Sequence, residues 1–347
     1  MPTTRNILVT GGAGYIGSHT AKALAEHGYT PIVFDNLSSG HRQAVRWGPF
    51  VHGDIRDAAA LREAMGVYET SAAIHFASLI EVGRSVSRPD LFYDVNVNGT
   101  AQLLAALRDR GASRLVFSSS AAVYGQAGAS PLDLLHEDMT KDPSSPYGDT
   151  KLVCERMIAA HCRAFGLSGV ALRYFNAAGA DPGGLIGEAH EPETHLIPLA
   201  IGAALGQRPD LTVFGDDFPT PDGSCLRDYV HVRDLAEAHI AALEARVPEG
   251  AFEAVNVGGS VGRSVFEVIQ TVSDIVGRQV GYTVGGRREG DPASLVADTA
   301  RAAALLGWTP RHSALSEIVG DAVAWHRSQM FGRPAGLNTR AETAAAA

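Results

Sequence analysis

The sequence predicts an α/β protein in which a doubly wound, parallel-sheet (Rossmann) domain precedes a smaller C-terminal α/β substrate domain. Short apolar runs alternate with longer helix-like segments through the first half of the chain, a pattern typical of a parallel sheet covered by helices on both faces. A glycine-rich turn directly follows the first apolar run. The alternation ends at about Gly179, where a Gly/Pro-rich stretch is too irregular for another strand–helix unit.

The individual elements follow from these patterns in chain order. Buried strands are predicted at residues 7–10, 31–34, 50–52, 72–76, 114–118 and 170–174, and helices at 16–27, 58–65, 91–108 and 147–165. Beyond the irregular stretch, a strand is predicted at 211–214 and helices at 196–205, 232–245, 264–276 and 313–328. We therefore expect a first domain over residues 1–180, a second over 181–335, parts of which can return to the first, and a frayed tail over 336–347.

The composition indicates a globular protein with an acidic balance of charge. The 347 residues are 45% apolar and include 29 Lys and Arg against 38 Asp and Glu, which gives a net charge of −9. This balance argues against nucleic acid or an anionic membrane as the main partner, because both favour a basic face. No apolar run approaches the roughly 20 residues of a membrane span, and the N-terminus lacks the pattern of a signal sequence.

The cysteines bear on the compartment. Cys154, Cys162 and Cys225 are an odd number without the spacing of metal ligands. Free thiols are typical of a reducing environment, so we expect a cytoplasmic protein. The sequence predicts no metal site.

The turn after the first strand carries glycine at every third position, namely Gly11, Gly14 and Gly17, around Tyr15 and Ile16. Glycine suits this turn because the backbone bends tightly, approaches a pyrophosphate closely and lets the next helix pack against the strand. The helix N-terminus then offers free N–H groups and a partial positive charge to the pyrophosphate. A glycine triplet also fits an ordinary tight strand–helix turn, so the neighbouring strand ends decide between the two.

Acidic residues at the next two strand ends favour a dinucleotide. Asp35, followed by Asn36, ends the second strand, where a carboxylate can accept the adenosine ribose hydroxyls. A carboxylate there disfavours the 2′-phosphate of NADP, so NAD is the expected cofactor. Asp54 and Ile55 follow the third strand, where the adenine would lie, although a helix N-cap explains Asp54 equally well.

The fourth strand ends in Phe76 and Ala77, on the line along which a dinucleotide crosses the sheet edge. An ordinary strand end explains these two residues equally well. The prediction of a dinucleotide site therefore depends on the glycines and the two carboxylates together.

Tyr147 and Lys151 lie four residues apart and thus on one face of a predicted helix. A free tyrosine has a pKa of about 10 and is a poor base at neutral pH. A nearby ammonium and a nicotinamide ring would lower that pKa, so that Tyr147 can take a proton from a hydroxyl group while hydride leaves the same carbon. The spacing alone also fits an amphipathic helix. The position of the helix after the fifth strand, which ends in a serine run including Ser120, favours catalysis.

Nine segments strengthen this hypothesis by occurring in a fixed order: TGGAGYIGSH, GDIRD, HFA, NVNGT, SSSAAVYG, SPYGDTK, LRYFNAAGA, RDYVHV and RREGD. Over residues 6–330 the chain resembles the UDP-galactose (UDP-glucose) 4-epimerases of the extended short-chain dehydrogenase/reductase superfamily. The resemblance implies an isomerase that inverts C4 of UDP-glucose and UDP-galactose through a 4-keto intermediate. NAD would stay bound throughout, and the overall reaction would be redox-neutral.

The resemblance also assigns roles to residues. Tyr147 would be the acid/base, Lys151 its electrostatic partner, and Ser120 the hydroxyl that positions the sugar. The implied cofactor contacts are Gly11, Gly14, Tyr15, Ile16, Gly17, Asp35, Asn36, Asp54, Ile55, Phe76, Ala77, Asn96, Tyr147, Lys151 and Phe175. The implied substrate contacts are Ser120, Asn176, His195, Thr212, Phe214, Arg227, Arg288, Asp291 and Leu295.

The second half of the chain would supply the UDP site. Thr212 and Phe214 would flank the uracil, and Asp291 would accept the uridine ribose hydroxyls. Arg227 and Arg288 would clamp the pyrophosphate, which suits the planar guanidinium. Without the resemblance, RREGD would be an ordinary solvated turn.

Several positions depart from the common pattern of the family. Ile80 stands where some members carry a lysine near the phosphates, and Ala122 stands where others carry a threonine. His195 replaces an asparagine, and a hydrogen bond to phosphate stays possible. Leu295 is intermediate between a blocking tyrosine and a permissive small residue, which leaves acceptance of N-acetylated sugars open.

Three alternative functions differ from this hypothesis in the residues that they need. A dehydratase or decarboxylase would need an acidic residue just before Val123, where the chain has Ala121 and Ala122. A non-catalytic dinucleotide sensor would not need the Ser, Tyr and Lys together, and a plain alcohol dehydrogenase would not need the arginine pair. A 4-epimerase of UDP-glucuronate, UDP-pentoses or UDP-N-acetylhexosamines stays open.

The resemblance further implies a homodimer built on the helices at 91–108 and 147–165, which otherwise are ordinary sheet-covering helices.

Overall fold

The computed structural model describes residues 5–125, 133–288, 291–328 and 331. In chain order the strands are β1 (Asn6–Thr10), β2 (Thr30–Asp35), β3 (Phe50–His52), β4 (Ala72–His75), β5 (Arg114–Ser120), β6 (Ser168–Tyr174), β7 (Asn176–Ala178), β8 (Leu211–Phe214), β9 (Leu226–His231), β10 (Phe252–Val257), β11 (Gly262–Ser264), β12 (Tyr282–Gly285) and β13 (Ser294–Leu295). The expected tail at 336–347 lies outside the described residues.

Eleven α-helices lie between these strands and after them in the described chain. They are α1 (Tyr15–Glu26), α2 (Ala58–Val67), α3 (Val82–Ser87), α4 (Pro89–Phe92), α5 (Gly99–Asp109), α6 (Pro146–Phe165), α7 (Leu196–Ala204), α8 (Val232–Glu244), α9 (Val265–Val276), α10 (Ala300–Leu306) and α11 (Leu315–Arg327). Within the described residues, no helix is both long and apolar enough to cross a membrane.

The main sheet has seven parallel strands in the order β10-β6-β5-β4-β1-β2-β3. The chain runs outward from β1 through β2 to β3, then crosses back to β4 on the other side of β1. Such a reversal opens a crevice at the carboxyl ends of β1 and β4, which is where doubly wound sheets bind ligands. The predicted fold class and the six predicted strands of the first half are confirmed.

Both faces of the sheet are covered, so its strands are apolar along their whole length. Ile7 and Val9 face one core, with Leu235 and Val255 among its members, and Leu8 faces the other, with Leu103 and Leu115. Burial on alternate sides explains why the strands appear in the sequence as continuous apolar runs.

The helix predicted over residues 91–108 is interrupted. The chain forms α4, then a π-helical turn over Tyr93–Asn98, then α5. The wider turn carries Asn96 into the protein, where its side chain bonds the backbone of Leu79 and the hydroxyl of Thr150. Apolar periodicity cannot register this change, because the π turn depends on partners from other elements.

The chain does not stay away from the main sheet after residue 180. β10 pairs in parallel with β6 at the sheet edge, and α8 packs against α1. The other late elements form a smaller layer, with one sheet ordered β11-β9-β13 plus β7, a two-stranded β12-β8 pair, and a core shared by α7, α9 and α11. β7 follows β6 after a single residue and pairs with β9, which joins the small layer to the crevice of the main sheet.

Candidate active site

The turn after β1 leaves no room for a side chain at Gly11 or Gly17. Gly11 has φ +72°, and a Cβ atom there would lie 2.6 Å from the backbone nitrogen of Ala77. A Cβ atom on Gly17 would lie 2.2 Å from the carbonyl oxygen of Gly11. Gly14 is the N-cap of α1 and provides no side-chain cap. The first turn of α1 therefore keeps N–H groups for an external anion.

The two residues between these glycines have different surroundings. The Tyr15 hydroxyl donates a hydrogen bond of 2.6 Å to the carbonyl of Gly179, and Ile16 packs against the core below the sheet. The glycine turn is thereby tied to the segment that follows β7.

Asp35 ends β2 and Asp54 follows β3, as the sequence predicts. Asp35 accepts hydrogen bonds from the backbone of Ala13 at 3.0 Å and of Leu37 at 2.8 Å, while burial raises its pKa. Asp54 accepts from Arg56 and, at 3.1 Å, from Asn36; the hydrogen bond from Arg56 lowers the pKa of Asp54. The alternative of Asp54 as a helix cap is wrong.

The cap of α2 is Asp57, whose carboxylate accepts from the backbone of Ala59 and Ala60. Ile55 is buried, and the Cβ of an alanine at Gly99 would lie 2.7 Å from its side chain.

Three other predicted cofactor residues differ in what they can offer. Ala77 lies against Gly11, and Phe76 packs on the ring of His239 with centroids 4.6 Å apart. Asn96 is buried, and both of its amide hydrogens are bonded, to Leu79 and to Thr150. The Asn96 side chain therefore fixes the loop after β4, and its predicted contact with the cofactor stays a prediction.

Ser120, Tyr147 and Lys151 meet where β5 ends and α6 begins. Ser145 caps α6 and Pro146 is its first residue, and the Ser120 hydroxyl is near enough to that of Tyr147 to lower the pKa of the phenol. The Lys151 ammonium lies 5.8 Å from the centre of the Tyr147 ring, one helical turn further on. The three predicted catalytic side chains are thus brought together.

Lys151 is fixed by two oxygen atoms. Its Nζ donates to the carbonyl of Ser118 and to the hydroxyl of Ser78, both at 2.9 Å, and its side chain is almost fully buried. Burial lowers the pKa of Lys151 to about 8. The sequence gives no pattern that marks Ser78 as a partner.

The expected lowering of the Tyr147 pKa is not produced by the protein alone. Burial raises the pKa of this phenol, and the nearby Ser120 hydroxyl offsets that only in part. Desolvation opposes the phenolate, so a positive charge in the crevice has to be added before Tyr147 can act as a base.

A buried ion pair supports this region from behind. Glu155 lies one turn beyond Lys151 on α6, accepts from the Ser119 hydroxyl at 2.6 Å and binds the Arg173 guanidinium at 2.9 and 2.6 Å. Arg173 also donates to the hydroxyl of Tyr124 at 3.1 Å. Sequence reasoning missed this pair, since its members become neighbours only when α6 packs on β6 of the sheet.

The residues predicted to hold a nucleotide form a wall on the smaller layer. The Arg288 guanidinium lies 3.8 Å from the centre of the Phe214 ring, and Thr212 is exposed on the same face of β8. The Nη2 atom of Arg227 lies 3.7 Å from the Asp291 carboxylate, and its Nη1 atom donates to the carbonyl of Pro292 at 3.0 Å. Glu289 and Gly290 of the RREGD segment lie outside the described residues.

Leu295 connects this wall to the catalytic residues. It pairs with Arg227 in register, and its side chain and that of Phe175 pack on a cluster that includes Ala121. Ala121 follows Ser120 directly, and Asn176 begins β7 beside Phe175. The two predicted groups of residues therefore border one crevice.

The three departures noted in the sequence have distinct structural settings. Ile80 is exposed at 39%, and the Ser78 hydroxyl two residues earlier bonds Lys151. The backbone N–H of Ala122 donates to the Ser120 hydroxyl at 3.1 Å. The imidazole of His195 lies 2.7 Å from the carboxylate of Glu188. Burial acts to lower the pKa of His195, but the carboxylates of Glu188 and Glu193 outweigh burial, and the pKa is raised.

The main sheet is parallel, carries a glycine turn after β1 and an aspartate at the end of β2, and has Ser, Tyr and Lys side chains close together after β5. These features define an NAD-dependent enzyme of the short-chain dehydrogenase/reductase type. The model of the NAD dependent epimerase/dehydratase family matches residues 7–258. The chain belongs to this family, which confirms the expected class of enzyme and NAD as the expected cofactor.

Similar proteins with known names agree. A UDP-glucose 4-epimerase of Rhizobium leguminosarum bv. trifolii is 50% identical over 320 residues, covering 92% of this chain and 97% of the relative. A UDP-glucose 4-epimerase of Brucella ovis, solved in complex with NAD, is 50% identical with a TM-score of 0.87 over 92% of this chain and 97% of its own. That of Bifidobacterium longum, in complex with NAD+ and UDP, is 33% identical with a TM-score of 0.87 over 94% and 99%.

Proposed function

We propose that this chain interconverts UDP-glucose and UDP-galactose by inverting C4 of the sugar on a tightly held NAD. The observation that carries the proposal is that Ser120, Tyr147 and Lys151 lie close together beside a glycine turn with no room for side chains at Gly11 and Gly17. The relatives named UDP-glucose 4-epimerase support the choice of sugar nucleotide.

The residues at the sheet edge fit NAD. The uncapped first turn of α1 suits the pyrophosphate, and the Asp35 carboxylate suits the adenosine ribose hydroxyls while repelling a 2′-phosphate. Asp54, Asn36 and the backbone at Ile55 would border the adenine.

Tyr147 would move the proton of the reaction. Its hydroxyl lies near that of Ser120, so the C4 hydroxyl of the sugar would fit between the two. When bound, NAD supplies a hydride acceptor that later returns the hydride to the other face of the 4-keto sugar. Tyr147 takes the proton from the oxygen at C4 in the first half and gives it back in the second, so neither proton nor hydride is consumed.

Lys151 would favour the phenolate form of Tyr147 and hold the nicotinamide ribose. Its ammonium is directed by the two oxygens of Ser118 and Ser78, so it cannot swing away from the tyrosine ring without breaking both bonds. The raised pKa of Tyr147 means that proton removal would be coupled to the positive charge of the bound cofactor.

The wall of the smaller layer would hold the UDP group. Arg227 and Arg288 would bind the diphosphate, and the Phe214 ring would stack on the uracil after Arg288 moves from it to the phosphates. Thr212 and Asp291 would bond the uracil and its ribose. Asn176 and Phe175 would border the sugar and the nicotinamide, and His195 would lie near the phosphates.

We also propose a cytoplasmic homodimer. The three cysteines are free, as a reducing compartment requires. Phe165, at the end of α6, is 55% exposed beneath the guanidinium of Arg108 from α5, which offers an apolar centre for pairing these helices with a second copy. Light scattering of the purified protein would give the mass of two chains.

The activity is tested by incubating the purified protein with UDP-galactose and no added NAD, with products separated by chromatography and absorbance followed at the NADH band. We expect UDP-glucose and no net NADH. Folded protein that binds UDP but yields no UDP-glucose even with added NAD would refute the proposal.

A substitution separates the chemistry from binding. Tyr147→Phe removes only the hydroxyl and should lower kcat by at least about 100-fold while bound NAD is retained. Activity within a few-fold of the wild type would show that another group moves the proton.

A further inference from the structure

Two glutamates and two histidines meet in the segment that follows β7. The sequence E-x-H-x-x-E-x-H places Glu188, His190, Glu193 and His195 together, and one nitrogen or oxygen from each lies within 4.8 Å of all the others. The Nδ1 atoms of both histidines approach the same carboxylate oxygen of Glu188, at 3.0 Å from His190 and 2.7 Å from His195. The same two nitrogens lie 3.9 and 3.1 Å from Glu193.

These distances match the edges of a metal tetrahedron. With ligand bonds of about 2.0–2.1 Å, as zinc has to nitrogen and oxygen, the ligands of a tetrahedral site lie about 3.4 Å apart. The two nitrogens lie 2.7 and 3.0 Å from one oxygen of Glu188, and they lie 3.1 and 3.9 Å from the two different oxygens of Glu193, so all four distances are within about 0.7 Å of that spacing. The Nδ1 atom of His195 has two carboxylates within 3.1 Å, whereas a neutral imidazole carries at most one hydrogen there.

The balance of charge also calls for a cation. The side chains of Glu188 and Glu193 are only 5% and 6% exposed, and the ion pairs of the described residues give neither of them a lysine or arginine. Two buried carboxylates without a permanent counter-charge are costly. The other titratable groups nearby are Tyr15, whose hydroxyl is bonded to Gly179, and His326, whose buried Nε2 has no hydrogen-bond partner.

We infer that Glu188, His190, Glu193 and His195 bind one divalent transition-metal ion, with zinc the best match to two imidazoles and two carboxylates. Four ligands from the protein close the coordination shell, which is typical of structural rather than catalytic zinc. The competing state is a metal-free cluster in which the imidazoles are hydrogen-bonded to the carboxylates.

The ion would fix the glycine turn and the smaller layer to each other. The His190 ring packs edge-on against that of Tyr15 with centroids 6.2 Å apart, and Tyr15 belongs to the turn that is proposed to hold NAD. His195 is the N-cap residue of α7, the first helix of the smaller layer. The inference does not depend on the reaction that the chain catalyses.

The test measures metal in the full chain after any affinity tag has been removed. Protein produced with added zinc and dialysed against buffer should contain about one zinc per chain by mass spectrometry. X-ray absorption should show only nitrogen and oxygen ligands, at about 2.0 Å. His190→Gln and His195→Gln should each weaken zinc binding at least about tenfold. His136→Gln, an exposed histidine outside the cluster, should leave it unchanged.

The wild-type measurement stands even if a variant fails to fold. Wild-type protein that is folded by circular dichroism and holds no zinc at micromolar free metal would overturn the inference in favour of the metal-free, hydrogen-bonded cluster. A zinc–sulfur distance of about 2.3 Å, or equal zinc in the wild type and the His190→Gln variant, would also overturn it.

Discussion

Replacing Gly17 with alanine tests whether the turn after β1 is a backbone cradle for NAD. The added Cβ would lie 2.2 Å from the carbonyl oxygen of Gly11 and 2.9 Å from the Cα of Gly12, and both neighbours are backbone. Ordinary contacts are about 3.5 Å, so the turn has to move by about 1 Å. Overpacking of this kind costs about 1–3 kcal/mol of unfolding free energy, and we expect the upper part of that range.

The displaced turn should also lose cofactor. Bonds from backbone N–H groups to a charged phosphate contribute about 1.5–3 kcal/mol each, so losing one lowers the affinity for NAD at least about tenfold. The chain offers a matched control in Gly320→Ala on α11, where a Cβ would meet nothing within 4 Å. The control should stabilise the protein by about 0.5–1 kcal/mol and keep its NAD.

The assays are urea unfolding at equilibrium and the amount of NAD released from purified protein by denaturation. Gly17→Ala should be less stable than the wild type and nearly free of NAD, and Gly320→Ala should be more stable with about one NAD per chain. If Gly17→Ala matched Gly320→Ala in both measurements, the close packing of the turn would not be what holds the cofactor.

Three further predictions concern the catalytic region. Burial lowers the pKa of Lys151 from 10.5 to about 8, so the unfolded chain binds more protons between these values and stability rises with pH. The unfolding free energy of NAD-free protein, relative to Lys151→Met, should rise by about 2 kcal/mol between about pH 7 and about pH 9.5 in urea titrations. Glu155→Gln leaves the buried Arg173 charge uncompensated and should cost about 3–5 kcal/mol of unfolding free energy, whereas Glu244→Gln at the surface should cost less than about 0.5 kcal/mol. Leu295→Ala opens the wall beside the sugar and should raise kcat/KM for UDP-N-acetylgalactosamine relative to UDP-galactose by about 10- to 100-fold.

Each of these predictions has a contrary outcome. A stability difference that does not change with pH would mean that Lys151 keeps its ordinary pKa in the fold. Equal losses of unfolding free energy for Glu155→Gln and Glu244→Gln would mean that the buried ion pair does not stabilise the fold. An unchanged ratio of the two sugars for Leu295→Ala would place the N-acetyl group elsewhere in the crevice.

The parts of the fold that sequence predicts well are those decided by local pattern. The strands of the first half are short apolar runs because both faces of the sheet are covered, and the turn around Gly11 and Gly17 is specified by contacts that no side chain tolerates. The position of Tyr147 relative to Lys151 follows from helical spacing, so the sequence indicates by itself that the two side chains share one helix face.

The parts that the sequence does not reveal depend on distant partners. Asn96 turns inward because Leu79 and Thr150 satisfy its amide, and β10 returns to β6 across more than 75 residues of chain. The pKa of Tyr147 is set by burial, which a motif does not report. The spacing of Glu188, His190, Glu193 and His195 was present in the sequence as a signal, but only the folded loop shows that their ligand atoms converge.

The central claim is that one hydride leaves C4 and returns to the same carbon. The direct measurement uses UDP-galactose deuterated at C4, converted by the purified protein in ordinary water, with the product examined by NMR and mass spectrometry. The account predicts UDP-glucose that retains its deuterium at C4, because the hydride never exchanges with solvent. UDP-glucose with hydrogen at C4 would contradict it, since the carbon would then have exchanged a proton with water.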